Sequence, residues 1–282
     1  MIDIASRLSP GASARLKTIA EIALAAGALS LQQQPGRHID VVEKGARDYQ
    51  TAGDVAVERL IVGRIRDVFH DYAIWGEEQV GNRDAEGAPQ VLIDPIDGTT
   101  NYLWGVPHFS VVIAIREAGE ITVGVTYDPN LDELFSAEKG GGAYLNGTKL
   151  QVGNNADPQR VLIGAGTPVP GQVKSVPVET YHAALRRLMD VTSGMRRLGS
   201  AALSTAYVAC GRLDGFFEDG LSPLDYGASM LVVREAGGLV TGFDGGPIPA
   251  TGGILVAGPG IHTWLVAGFS AASSPDGSSV VI

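Results

Sequence analysis

The chain has 282 residues, 45% of them hydrophobic and only 18% charged, with a formal net charge of −10. That is enough apolar material for one large or two modest domains, and the acidic balance excludes the broad basic face that sequence-independent nucleic-acid binding requires. The single cysteine, Cys210, excludes an internal disulfide and fits a reducing compartment.

At the N-terminus, residues 11–31 place Leu16, Ile19, Ala20, Ile22 and Ala23 at helical spacing. This stretch lacks a basic segment followed by a clean apolar core, so the expected location is the cytoplasm. No apolar run reaches the roughly 18 to 20 residues that span a bilayer. A second amphipathic helix is predicted from about 54 to 69, with Asp54 at its start, where Asp is a favoured N-cap. The stretch "YAIWGEE" reads as a short strand ending in acid, and "APQVLIDP" as another. Residues 110–129 and 133–152 are β-rich, with turns at 117–120 and at Asn146-Gly147, a strong hairpin signal. From about residue 161 strands and helices alternate: "VLIGAG", a helix over 178–192, a helix over 200–211 with Cys210 as a buried residue, and "DGFFED". A helix over "DYGASMLVVREAGG", the strands "LVTGF" and "GILVAG", and a helix over 261–270 complete the series. The expected fold is a layered α-β-α-β-α sandwich, with a mixed, largely antiparallel N-terminal sheet and a smaller C-terminal α/β sheet. The expected halves are 1–156 and 157–270, followed by a flexible tail, 271–282, rich in Ser and Gly.

Four acidic sites end predicted strands or open predicted helices: Asp54, Glu77 with Glu78, Asp94 with Asp97, and Asp225. Singly, each has a plain structural reading as a helix cap, a surface acid or a first-turn acid. Together they form a set of hard oxygen donors suited to Mg²⁺ or Mn²⁺. The five histidines are scattered and show no pair at zinc-ligand spacing. Neither a Gly-x-Ser-x-Gly elbow nor a phosphate-binding Walker loop occurs.

"WGEEQ" at 75–79, "DPIDGTTNY" at 94–102 and "LDYGA" at 224–228 resemble the three signatures of the inositol monophosphatase family. The resemblance runs from about Lys44 to Gly258 and includes "TAGD" at 51–54, "GAYLNGTKLQV" and "VREAGG". It implies a magnesium-dependent, lithium-sensitive phosphomonoesterase that binds two or three metal ions, with Mn²⁺ as a substitute, and forms a homodimer. It further implies that Glu77 bridges one metal and the attacking water, and that Asp94, the Ile96 carbonyl, Asp97 and Asp225 complete the metal ligands. Asp54 and Thr99 correspond to the pair that orients the water. Gly98 and Thr99 open a helix whose N–H groups suit phosphate. Gly199, Ser200 and Ala201 correspond to a segment beside the sugar ring, and Glu218 to a residue that contacts inositol hydroxyls. Two metals can neutralise a phosphate dianion, activate water and stabilise the leaving alkoxide. The implied substrate is inositol 1-phosphate or a similar polyol phosphate. The alternatives are histidinol phosphate, fructose 1,6-bisphosphate and nucleotide 3′-phosphates. A non-enzymatic alternative is association with the transcription machinery; neither a membrane nor direct nucleic-acid contact is expected.

Some positions depart from the pattern. Leu224 stands where many relatives carry tryptophan, and Gln50 where an apolar residue is common. The 44–54 segment reads as a compact loop, with Lys44 either helping to bind phosphate or, the favoured reading, solvated. Trp104 is expected to pack in the core and His108 to line the pocket rim.

Overall fold

The protein is described by a computed structural model that covers residues 4–34, 42–45, 48–78 and 87–272. Helix α1 (Ala14–Gln33) starts at Ser13, whose side chain accepts from the Leu16 N–H. Strands β1 (Val42–Gly45) and β2 (Asp48–Gln50) then pair antiparallel, so a hairpin occupies the stretch expected to be a loop. The Lys44 side chain lies outside the described residues. Helix α2 (Ala52–Val68) is capped by Thr51, not Asp54. Asp54 is the third helical residue and closes a reciprocal capping box with Thr51.

The first sheet contains β3 (Ala73–Gly76), β4 (Gln90–Asp97), β5 (Ser110–Glu117), β6 (Glu120–Asp128), β7 (Glu133–Glu138), β8 (Gly142–Leu145) and β9 (Thr148–Lys149), in that spatial order. Strands β3 and β4 are parallel and every other pair is antiparallel. Both tight turns fall where the sequence puts them. Ala118-Gly119 and Asn146-Gly147 each carry two consecutive positive φ values, the backbone of a type I′ hairpin. Between β4 and β5 lies the short helix α3 (Thr99–Trp104).

The second sheet is built from β10 (Leu162–Ala165), β11 (Gly194–Arg196), β12 (Gly215–Glu218), β13 (Leu239–Thr241) and β14 (Ile254–Ala257), in the order β11-β10-β12-β14-β13. Its connecting helices are α4 (Val178–Val191), α5 (Ala201–Ala209) and α6 (Pro223–Glu235), and α7 (Pro259–Ala272) follows β14. Cys210 is the C-cap of α5 and half-buried, outside the helix body. The tail beyond residue 272 lies outside the described residues.

Strand side chains alternate faces, and that alternation produces five layers. Val91 and Ile93 point to a core shared with Leu16, Ile19, Ile61 and Ile65 of α1 and α2. Leu92, between them, faces Ala202 of α5 and Leu224 and Ala228 of α6. In the second sheet Phe216 and Val256 face α5 and α6. Phe217 and Leu255 face α4 and α7, packed with Tyr181, Leu265 and Phe269. The layers are therefore α1/α2, first sheet, α5/α6, second sheet, α4/α7. The middle helices sit tightly on the first sheet: a Cβ on Gly124 of β6 would lie 2.9 Å from the Ala228 backbone. Leu224 is 5% exposed and fills this layer beside Trp75.

Trp104 departs from expectation. It is 56% exposed, with Tyr49 at 6.0 Å between ring centroids, and so does not belong to the core. Helix α3 is only six residues long and turns its Tyr102 and Leu103 inward, which leaves Trp104 on the outer side. No described helix is long and apolar enough to cross a membrane.

Candidate active site

The site forms where four element ends meet between the sheets. Strand β4 supplies Asp94 and Asp97. In a regular strand two residues three apart face opposite sides. Here Asp94 pairs with Val112 and Asp97 with Ser110, so three steps on β4 match two on β5. This one-residue bulge restores parity and turns both carboxylates to the α5/α6 side. Pro95 lies within the bulge, where a missing N–H costs no regular ladder bond.

Each acid has its own anchor. The Asp94 carboxylate accepts from the Ile96 N–H at 3.1 Å. The parallel register that pairs Gly76 with Ile93 brings Glu77 beside Asp94, and the two side chains hydrogen-bond. Asp97 is held by the start of α5: it accepts from the Ala201 and Ala202 N–H groups at 3.1 Å each and from the Ser200 hydroxyl. The Ser110 hydroxyl adds a bond at 3.2 Å. A carboxylate at a helix N-terminus is favoured by the helix dipole. Asp225 closes a capping box at the start of α6 and accepts from the Ser222 N–H at 2.6 Å. The Thr99 hydroxyl donates to the Ile96 carbonyl at 3.1 Å.

These groups are crowded and dry. Burial pushes the Asp94 carboxyl well above the usual range, and Glu77, Asp97 and Asp225 push it further. Asp225 is raised to about 8 by burial and then by Glu77, with smaller contributions from Asp97 and Glu218. Asp97 is also raised by burial, against the opposing pull of its hydrogen bonds. Asp54 lies apart, at the start of α2. It is fully buried, and burial first and Glu78 second raise it to about 6. Its Oδ2 accepts from the Thr51 N–H at 2.8 Å, while its Oδ1 has no hydrogen-bond partner.

A cavity of about 170 Å³ opens on this cluster, lined by Asp97, Gly199, Ala201, Glu218 and Asp225 together with Gly166 and Arg197. Glu218, at the end of β12, accepts from the Gln172 side chain at 3.1 Å and is raised to about 7, chiefly by burial. Ser200 is buried with its hydroxyl on Asp97, behind the cavity wall. Gly98 (φ +98°) and Gly199 (φ +87°) bring the two motif turns together: a Cβ on Gly98 would lie 3.0 Å from the Gly199 carbonyl oxygen. Asn101 ties the same turns by donating to the Leu198 carbonyl at 2.8 Å. His108 lies to one side, its ring 5.6 Å from that of Tyr207. Gln50 donates to Glu78.

Sequence reasoning missed Arg197, Gln172 and Gly166. The Arg196-Arg197 doublet just before Gly199-Ser200 was the one available signal for a cation at this cavity. Gln172 and Gly166 come from loops whose path no local pattern reveals. Among the described residues, no three His, Cys, Asp or Glu side chains are already drawn into a metal-holding group. The oxygens of Asp97 and Asp225 instead accept hydrogen bonds from helix starts.

The sequence profile described as "Inositol monophosphatase family" matches residues 13–274. The chain belongs to the inositol monophosphatase family. An inositol-1-monophosphatase of Rhizobium meliloti is 40% identical over 79% of this chain and 82% of its own length. A Nus factor SuhB of Pasteurella multocida is 44% identical over 76% of this chain and 79% of its own. The crystal structure of the extragenic suppressor protein suhB from Bartonella henselae superposes with a TM-score of 0.84 at 36% identity, covering 91% and 98% of the two chains. The layered fold of this family is the one described above.

Proposed function

We propose that this inositol monophosphatase family member is a phosphomonoesterase that hydrolyses inositol 1-phosphate or a similar polyol phosphate with Mg²⁺ as cofactor. The observation that carries the reading is the bulge in β4. It turns Asp94 and Asp97 to one side, where Glu77, Asp97 and Asp225 act electrostatically on Asp94 and Asp97 acts on Asp225. The donors fit a hard divalent cation: they are carboxylate oxygens, with the Ile96 carbonyl adjacent. Mutual repulsion between these acids is the term a cation relieves. Glu77, Asp94, Asp97, Asp225 and the Ile96 carbonyl would hold the metal ions, two or three of them, and Mn²⁺ meets the same donor chemistry. When bound, the metal lowers the pKa of water and screens the phosphate charge.

The chain's own groups supply the remainder. Helix α5 fixes Asp97 through three bonds, so its carboxylate holds one orientation. Thr99 and Asp54 are the reading's water-orienting pair, with Asp54 Oδ1 the acceptor that lacks a protein donor. The N–H groups at Gly98 and Thr99 face phosphate in this reading. Glu218 accepts from polyol hydroxyls beside the Gly199–Ala201 turn, and Gln172 orients it. The exposed Trp104 and Val106 suit an apolar contact between two copies of the chain.

A phosphate-release screen with Mg²⁺ over inositol 1-phosphate, histidinol phosphate, fructose 1,6-bisphosphate and nucleotide 3′-phosphates tests the reading. Preference for inositol 1-phosphate supports it, and absence of Mg²⁺-dependent release from every substrate refutes it. Association with the transcription machinery is a second reading, favoured by the relatives named Nus factor SuhB. Co-purification that persists in an Asp94→Asn variant would support a partner role separate from catalysis.

A further inference from the structure

The larger cavity lies away from the carboxylates, on the other side of α6. It measures about 460 Å³, within the range of roughly 300–1,000 Å³ typical of small-molecule sites. Successive helix residues are rotated by about 100°. Pro223, Tyr226, Gly227, Met230 and Arg234 therefore share one face of α6 and line this cavity, while Asp225 points to the opposite face and lines the other. The body of α6 separates the two spaces.

The lining has an apolar floor and a cationic rim. Ile121, Met230, Val240 and Ile248 supply the floor. Of the charged groups, Lys139 is paired with Glu120, and Glu235 is occupied by the N–H groups of Gly140 and Gly142 at 2.8 Å each. Arg116 and Arg234 form no ion pair among the described residues. The Arg116 guanidinium lies over the Trp75 ring at 5.4 Å and donates to Gln90, which fixes its plane at the cavity edge. Both guanidiniums act electrostatically on the Tyr226 phenol. The lining thus combines two guanidiniums outside any close ion pair, Arg234 also acting electrostatically on Glu120, with a phenol and an apolar bed on a chain of net charge −10.

We infer that this cavity binds a small amphipathic organic anion, with an aromatic or alicyclic body on the floor and a carboxylate, sulfonate or phosphate head between Arg116 and Arg234. The occupant bears on Pro223, Tyr226 and Gly227, the turn that carries Asp225, so binding alters turnover at the carboxylate site. The binding claim stands on the cavity alone. The regulatory claim rests on the phosphatase reading.

The test uses 8-anilinonaphthalene-1-sulfonate as probe on the full chain, followed by fluorescence. One saturable site is expected. Arg234→Gln and Arg116→Gln should each weaken binding by about three- to tenfold, the scale of one charge-assisted contact at a partly exposed site, with circular dichroism unchanged. Equal affinity in the wild type and both variants, or non-saturable binding, overturns the site. In the same preparations, a saturating probe should change kcat or KM for p-nitrophenyl phosphate at least twofold in the wild type. At the same probe concentration Arg234→Gln should respond less. An identical response in both, or none in the wild type, overturns the coupling to Asp225. If no preparation releases phosphate, the coupling falls with the phosphatase reading, and the titration still decides the site.

Discussion

Replacing Asp54 by Asn should make the metal-free protein more stable at pH 8 and, through weakened capping, about 1 kcal/mol less stable at pH 4. Asp54 is fully buried and its carboxyl is raised from its ordinary 3.8 to about 6, mainly by burial. A raised acid favours folding while it stays protonated, and that contribution is complete below pH 4. It is lost as pH climbs from about 4 to about 6, because the folded chain must then bury a charge that the unfolded chain solvates. The gap between 3.8 and about 6, at about 1.4 kcal/mol per pH unit, comes to about 3 kcal/mol. Asn removes that cost above about pH 6 and keeps one oxygen for the Thr51 N–H, while weakened capping takes back about 1 kcal/mol at either pH. The net gain at pH 8 is about 2 kcal/mol, or roughly 4–8 °C in Tm for a chain of this size. Urea titrations in chelator at the two pH values, followed by tryptophan fluorescence, measure the difference. A variant less stable than wild type at pH 8, or equally stabilised at both, would refute the burial argument. The same variant should lose Mg²⁺-dependent phosphate release, a trade of function for stability.

Three further outcomes are expected. Asp94→Asn and Asp97→Asn should each abolish phosphate release with circular dichroism unchanged; near-normal turnover in either would remove the metal-site reading. Glu218→Gln should raise KM for inositol 1-phosphate severalfold more than for p-nitrophenyl phosphate, and equal effects on both would take Glu218 out of polyol recognition. Gly98→Ala forces a side chain into left-handed backbone 3.0 Å from the Gly199 carbonyl; it should cost about 2–3 kcal/mol and depress activity, as read by thermal melts and kinetics.

The elements that faced water on one side were legible. Helices α1 and α2 show apolar spacing because one flank packs on the first sheet, and the two-residue turns announced themselves through Gly and Asn. Helix α6 also carried its signature, but α5 shows why periodicity fades in the middle layer. It is covered by both sheets, so Ala202, Leu203, Ala206 and Val208 are buried all around its axis. Of the site, the four acidic segments were legible through their motifs. The partners that hold them were not. Ser200 and Ala202 reach Asp97 across more than a hundred residues of chain, and only the stacking of sheets makes them neighbours. Trp104 misled because its chemistry suggests burial, while the six-residue helix that carries it has an outer side to fill.

The extra residue in β4 has an engineering consequence. Straightening the strand without shortening it would delete no acidic side chain, yet it would carry Asp97 to the α1/α2 side, among Ile93 and Val111. An ionisable group would then sit in oil and a hydrophobe would occupy the reaction centre. At this point the count of backbone residues matters as much as their decoration, because a strand shortened by Pro95 or Ile96 would set the two acids two residues apart and keep both on one side by regular alternation.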